Sequence, residues 1–274
     1  MKLKTFIFFA LFSFFTSTAL AEPSIICSMY PVYDFTRQIT GTLANVKLLI
    51  RPGVEPHDYE PTPRDVKALN DADMFVFTGK VMETWAEEIS HSLNSTKNVD
   101  ASHGITLTDN DPHIWLDLSL AQKMTLNILE GLCEIDPDNS DSYRSNAQTF
   151  NKKLQALDEM FNALRKDKAL VFAGEFSAGY FVKRYGFSYV SAYDGENEPS
   201  VKQMAQILKY IREHKIHYIF ADTGGISQVT RSISTQTGAK ILTFGTGHNV
   251  PDLSMTFIDI MNDNYRNISE ALND

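Results

Sequence analysis

Two histidines, His57 and His113, stand in closely similar settings. The first lies in "RPGVEPHDYEPTPRDV" (51–66) and the second in "DPHIWLDL" (111–118). Each directly follows a proline, which restricts the local chain to turn or extended conformations and limits its freedom. An imidazole held in place before an ion arrives makes a good metal ligand. Three more residues fall at ends of expected strands: Glu175 after "LVFAG", Asp222 after "IHYIF" and His248 after "ILTFG". Any one of them alone reads as an ordinary polar or helix-capping residue. Together they offer imidazole and carboxylate from separate loops, and a divalent transition metal needs about four such donors converging. His57, His113, Glu175 and His248 make up such a set. The remaining histidines, His91, His103, His214 and His217, lie in polar segments and read as surface residues.

No motif of a common enzyme class accompanies these residues. GxSxG, HExxH, GxGxxG and the P-loop are absent. Ser177 in "GEFSAGYF" lacks the glycine bracket of a nucleophile elbow, and "FTGK" at 77–80 lacks the first half of a Walker motif.

The elements that must position these loops follow from periodicity. "SIICSMY", "VKLLI" and "DMFVFTG" read as strands. "PVYDFTRQITG", "TPRDVKALNDA" and "ETWAEEISHSLN" read as helices between and after them, with Thr62 and Pro63 suited to a helix start. From Asp138 to Lys166, Phe150, Leu154, Leu157, Met160, Phe161 and Leu164 recur at steps of three and four. That pattern predicts one amphipathic helix, roughly 40 Å long at 1.5 Å per residue. The rhythm then restarts. "ALVFAG", "SYVSAY", "IHYIFAD" and "AKILTFG" read as strands, separated by helices that include "SVKQMAQILKYIREHK" with Ser200 as its N-cap. The expected class is α/β: two Rossmann-like (βα) lobes joined by one long helix, with the ligand site in the cleft between them. The expected division is a leader over 1–21, a first lobe over 22–137, the linking helix over 138–166 and a second lobe over 167–274. No internal sequence repeat is detectable.

The leader "MKLKTFIFFALFSFFTSTALA" has a basic start, a short apolar core and an Ala-x-Ala end, the three parts of a secretory signal peptide. Cleavage after Ala21 and a periplasmic location follow as expectations. The formal net charge is −9, and losing Lys2 and Lys4 with the leader makes it −11. That argues against nucleic acid or anionic lipid as a partner. Cys27 and Cys133 are the only cysteines. In an exported protein they can form one disulfide or stay as two buried thiols.

The chain resembles the metal-binding solute-binding proteins of zinc and manganese ABC transporters (cluster A-I, the zinc-uptake A type). The resemblance runs through "SMYPVYDFTRQITG", "RPGVEPHDYEPTPRDVKALNDADMFVFTG", "DPHIWLDL", "EIDPDNSDSYRSNAQTF", "GYFVKRYGF", "ENEPSVKQM" and "SMTFIDIMNDNYRNI". It implies a metal buried between two lobes and held by His57, His113 and the residue five before the tyrosine of "GYF", which is Glu175. Zinc members commonly carry histidine at that third position and manganese members glutamate. The fourth position is usually aspartate; here the register places His248 there, a departure that leaves Asp222 as the reserve ligand. The histidine-rich loop of some zinc members is missing between His57 and His113. Three imidazoles and one carboxylate suit tetrahedral Zn2+, with Mn2+ as the alternative transported ion. Because a ligating imidazole must be neutral, binding is expected to weaken in acid. The implied partners are a membrane permease with its cytoplasmic ATPase, and the protein is expected to act as a monomer and not as an enzyme. The competing readings are a periplasmic zinc chaperone, using the same site, and a metallohydrolase with Asp222 or Glu55 as base.

Overall fold

Strand β1 (Ser24–Cys27) lies inside a parallel sheet, flanked by β2 (Asn45–Leu48) on one side and β3 (Met74–Phe77) on the other, with β4 (Lys97–Asp100) outermost. The computed structural model describes residues 22–174, 176–193, 198–247, 250 and 252–273. A second parallel sheet is built from β5 (Leu170–Phe172), β6 (Tyr189–Ser191), β7 (Tyr218–Asp222) and β8 (Lys240–Phe244), in the order β6-β5-β7-β8. The two sheets share one strand order, shifted by four. A topological repeat therefore exists where the sequences have none to show. In each sheet the chain reverses its direction of travel between the two central strands, the position at which open α/β sheets gather ligands.

Central and edge strands differ as their composition requires. β3, "MFVF", is buried at every position, whereas β2, "NVKL", alternates between exposed and half-buried residues. β4, "KNVD", was not expected as a strand: Val99 is its single buried residue, too little apolar pattern to signal one. Its neighbour explains its place. In helix α4 (Leu118–Ile135), a Cβ on Gly131 would sit 2.4 Å from Val99 Cγ2, so only glycine lets the helix seat on this edge.

Helix α1 (Tyr30–Thr40) follows β1, and α2 (Pro63–Asn70) and α3 (Thr84–Ser90) follow β2 and β3. Thr62 N-caps α2 through a reciprocal capping box with Asp65, as the proline-threonine start predicted in part. Ser200 caps α7 (Val201–Glu213) in the same way with Gln203.

The expected 138–166 helix is α5, Ser140–Asn162; a 3-10 turn, Pro137–Asn139, takes its first residues and Ala163 ends it. It is roughly 35 Å long. Its buried stripe is Tyr143, Ala147, Phe150, Leu154, Leu157 and Phe161. Met160 was expected on this stripe but is 38% exposed, because helical geometry turns it to the opposite flank from Asp158. Asp158 is buried and held by Arg184 (Nε 3.1 Å, Nη2 2.7 Å) and the Tyr185 hydroxyl (2.9 Å). Both partners lie on α6 (Gly179–Tyr185). The stripe packs α5 against α1, α4 and α9 (Phe257–Asn273). One apolar cluster thus runs from the first sheet through α5 to Phe181, Phe244 and Phe257 of the second half. The ring pairs Phe35–Phe150 (5.2 Å) and Phe35–Phe257 (5.1 Å) lie at that junction.

Both cysteines are free. Cys27 is buried on β1, where desolvation pushes its thiol up to about 12, and Cys133 sits on α4. No helix among the described residues is long and apolar enough to cross a bilayer. The leader, 1–21, lies outside the described residues.

Candidate metal centre

His57 sits in the loop from β2 to α2, and His113 lies beyond β4, immediately before a 3-10 turn, Ile114–Leu116. Each therefore follows an edge-side strand of the first sheet at its carboxyl end. The proline-rich loop around His57 is tied down at several points. Glu55 Oε1 accepts the His57 backbone N–H at 3.2 Å, and the Tyr59 hydroxyl donates to Asp65 of the α2 capping box at 3.0 Å. The loop after β4 brings His113 back to it. The two imidazole rings lie 6.0 Å apart, centre to centre, inclined by 73°. Two imidazoles sharing one zinc at about 2.0–2.1 Å place their ring centres roughly 5–6 Å apart, so this pair fits a common ion.

His113 is buried and its orientation is set. Asp111 Oδ1 accepts both the His113 backbone N–H (3.0 Å) and lies 2.7 Å from Nδ1. An ionised carboxylate only accepts, so the hydrogen-bond network assigns the proton to Nδ1 and leaves the Nε2 lone pair for an ion. This carboxylate–histidine pairing is the usual support of a zinc ligand. The Trp115 ring packs edge-on against His113 at 5.4 Å. Asp111 was not singled out from the sequence, although its place two residues before a candidate ligand is a readable signal. Replacing it with alanine is expected to weaken zinc binding about 10–100-fold. Titration against a chelator checks this, and wild-type affinity in that variant would remove Asp111 from the site.

On the second lobe, Asp222 ends β7. Its Oδ1 accepts the Gly224 N–H (2.7 Å) and its Oδ2 accepts the Thr246 hydroxyl (2.9 Å). Burial holds this carboxyl above the usual range, and those two hydrogen bonds draw it back. Glu55 raises it further and His113 lowers it, so Asp222 is within electrostatic reach of these two first-lobe residues. Glu175 and His248 lie outside the described residues. Their chain neighbours are in place: Ser177 is buried beyond β5, and Thr246 and Gly247 are buried beyond β8. Among the described residues no group of three or more His, Cys, Asp or Glu side chains converges as a metal cluster. Of the expected ligands, His57 and His113 lie within those residues, as does the reserve, Asp222. His91, His103, His214 and His217 are exposed. A cavity of about 570 Å3 opens beside Asp111, lined by Phe176, Tyr180, Phe187 and Tyr189, and includes neither histidine of the pair.

Comparison with known proteins places this arrangement. Residues 25–271 match the family described as zinc-uptake complex component A, periplasmic. The chain is 32% identical over 277 residues to the high-affinity zinc uptake system protein ZnuA of Bacillus subtilis, covering 90% of this chain and 87% of that protein. It is 29% identical to the zinc-binding protein AdcA of Streptococcus pyogenes across 88% of its own length, but spans only 55% of that longer relative. The Zn(II)-bound ZnuA-like domain of AdcA from Streptococcus pneumoniae superposes with a TM-score of 0.81 at 29% identity, covering 92% of this chain and 100% of the domain. The chain belongs to the zinc-uptake complex component A family of periplasmic proteins.

Proposed function

We propose that this chain is the extracytoplasmic solute-binding component of an ABC transporter: it captures one divalent transition metal ion, zinc in preference to manganese, and delivers it to a membrane permease driven by a cytoplasmic ATPase. Its family is one of zinc-uptake components and not of enzymes. The observation that carries the reading is the pair His57 and His113, 6.0 Å apart, with Asp111 presenting the second imidazole. Glu175 and His248 complete the ligand set from the second lobe, with Asp222 in reserve. The carboxylate at the third position leaves manganese as the secondary ion. In this reading the leader is cleaved after Ala21, residues 22–137 and 167–274 form the lobes, 138–166 link them, and the protein works as a monomer in the periplasm.

The chemistry follows from the donors. Neutral imidazole and carboxylate match zinc in four-coordinate geometry, and capture in the cleft removes the ion from competing water. Nothing is broken or formed covalently, so binding free energy is the whole output. The test is competition titration of metal-stripped mature protein with zinc and manganese against a chelator of known affinity. One tightly held zinc with far weaker manganese supports the proposal. Tight manganese with weak zinc would overturn the preference, and no tight metal at all would overturn the function.

A further inference from the structure

Two neighbouring residues of α6, in the second lobe, grip a turn of the first lobe that carries Asp111. The turn runs from Thr108 to Asp111 and is closed by the Asp111 N–H, which donates to the Thr108 carbonyl at 3.0 Å. Its central residues, Asp109 and Asn110, have φ of +54° and +57°, a left-handed pair that Asp and Asn tolerate better than other side chains. At the start of the turn the Tyr180 hydroxyl accepts the Thr108 N–H at 2.8 Å, and Tyr180 is buried. At its end Asp111 Oδ2 lies against Gly179. A Cβ on Gly179 would sit 2.5 Å from that oxygen, well inside contact distance. Gly179 is helical, so the carboxylate and not the backbone demands glycine here. Helix α6 is itself a fixed platform. Arg184 and Tyr185 bind Asp158 of α5, Arg184 also reaches Asp117 at 3.5 Å, and Phe181 packs edge-on against Phe161 at 4.9 Å.

The other oxygen of the same carboxylate, Oδ1, holds the His113 backbone N–H and Nδ1. Asp111 is thus fixed between the lobes, one oxygen on the imidazole it presents and the other on the second lobe's helix. We infer that Gly179 and Tyr180 are positioning residues for metal capture: the docking of α6 sets the Asp111 carboxylate, and the carboxylate sets the tautomer and direction of His113. The inference rests on the metal-capture reading above. A short side chain has little room to yield. With Oδ2 pushed off Gly179 the carboxylate must turn, and the bond from Oδ1 to Nδ1 is lost with it. A ligand imidazole deprived of its carboxylate forfeits about 10–100-fold in metal affinity. The lobes meanwhile stay joined by ties elsewhere. The Trp115 Nε1–H donates to the Thr246 carbonyl at 2.6 Å, the Tyr30 hydroxyl to the Met255 carbonyl at 2.5 Å, and Asp34 Oδ2 accepts the Phe257 N–H at 2.9 Å. A methyl group at position 179 therefore acts locally.

The test uses the mature protein, zinc and cobalt. Gly179→Ala carries it. The added methyl displaces only the tip of a side chain, and alanine is the better helix former, so the metal-free unfolding midpoint stays within a few degrees of wild type. Expected is zinc binding weakened about tenfold or more in chelator competition, with a shifted Co2+ visible spectrum that reports altered coordination. In metal-free protein in mildly alkaline buffer, the nitrogen NMR shifts of the His113 ring report its tautomer. Wild type carries the proton on Nδ1, and in Gly179→Ala part of it moves to Nε2. A merely structural role would move neither reading. Tyr180→Phe, which removes the acceptor of the Thr108 N–H and keeps the ring, gives a smaller loss of the same kind. In an Asp111→Ala background, where no carboxylate remains to be displaced, Gly179→Ala has no additional effect. Wild-type affinity and ring shifts in Gly179→Ala, or the same loss with and without Asp111, would overturn the inference. Wild-type protein that holds no zinc would overturn the metal-capture reading instead, and the ring shifts would still decide whether α6 sets Asp111.

Discussion

Replacing His113 with alanine is expected to weaken zinc binding roughly a thousandfold, or about 4 kcal/mol. The loss has two parts. One of the imidazoles that share the ion is gone, and Asp111, which now holds His113 through Nδ1 at 2.7 Å, loses the group it orients. The effect should exceed that of Asp111→Ala, because that change loosens a ligand and this one deletes it. His103→Ala serves as the control, since His103 is exposed. Chelator competition on both variants reads the difference directly. Wild-type affinity in the His113→Ala protein would break the assignment of the paired histidines.

The second large effect concerns stability and not the metal. Glu83 is completely buried at the head of α3, below the ends of β1 and β3. Desolvation raises its carboxyl from 4.5 to about 7, against the pull of the Thr78 N–H (2.7 Å) and of the Ser28 and Thr78 hydroxyls. Asp100 raises it further, and Cys27 is the other titratable group facing it. The folded protein therefore keeps this proton when the unfolded chain has already released it. Stability from this group is fully present below about pH 4.5, falls as pH rises toward 7, and is flat beyond. The loss is roughly 3 kcal/mol. Glu83→Gln is always neutral and does not share that loss. Urea unfolding at pH 5 and pH 8 should show wild type losing that much more stability than the variant between the two conditions. Parallel pH profiles would mean that Glu83 is ionised in the folded state.

Much of the architecture was legible because apolar runs such as "ILTF" and "MFVF" lead directly into glycine-containing loops. Seven of the eight described strands follow from that alternation. β4 was illegible for a physical reason: an edge strand of four residues with one buried side chain has no pattern to display, and its place depends on a glycine in α4. Strand order was also unreadable, since nothing local says that β3 should pass β2 and pair with β1 on its other side. At the site, proline singled out His57 and His113, and the structure brings their rings together. Asp222 was read from its strand end, and it does end β7, within electrostatic reach of His113. Asp111 escaped notice because an aspartate two residues before a histidine is common, and its role depends on a backbone turn that returns it to the ring. Trp115 and Tyr30 are buried aromatics; that their polar atoms bond the Thr246 and Met255 carbonyls of the other lobe is a tertiary fact.

Those ties also say something about the order in which the molecule can be assembled. All strand pairings of the first sheet lie between residues 24 and 100, and all those of the second between 170 and 244. Each sheet is thus written in one contiguous stretch and closes with modest loops. The contacts that join the two halves link residues 131, 223 and 225 positions apart, much longer loops whose closure costs more entropy. The first half holds two imidazoles but not the strand ends of the second sheet; the second half holds those ends but not Trp115, Tyr30 and Asp34, which hold Thr246, Met255 and Phe257. The cleft therefore belongs to the finished chain alone: the first half by itself presents two imidazoles with nothing opposite them.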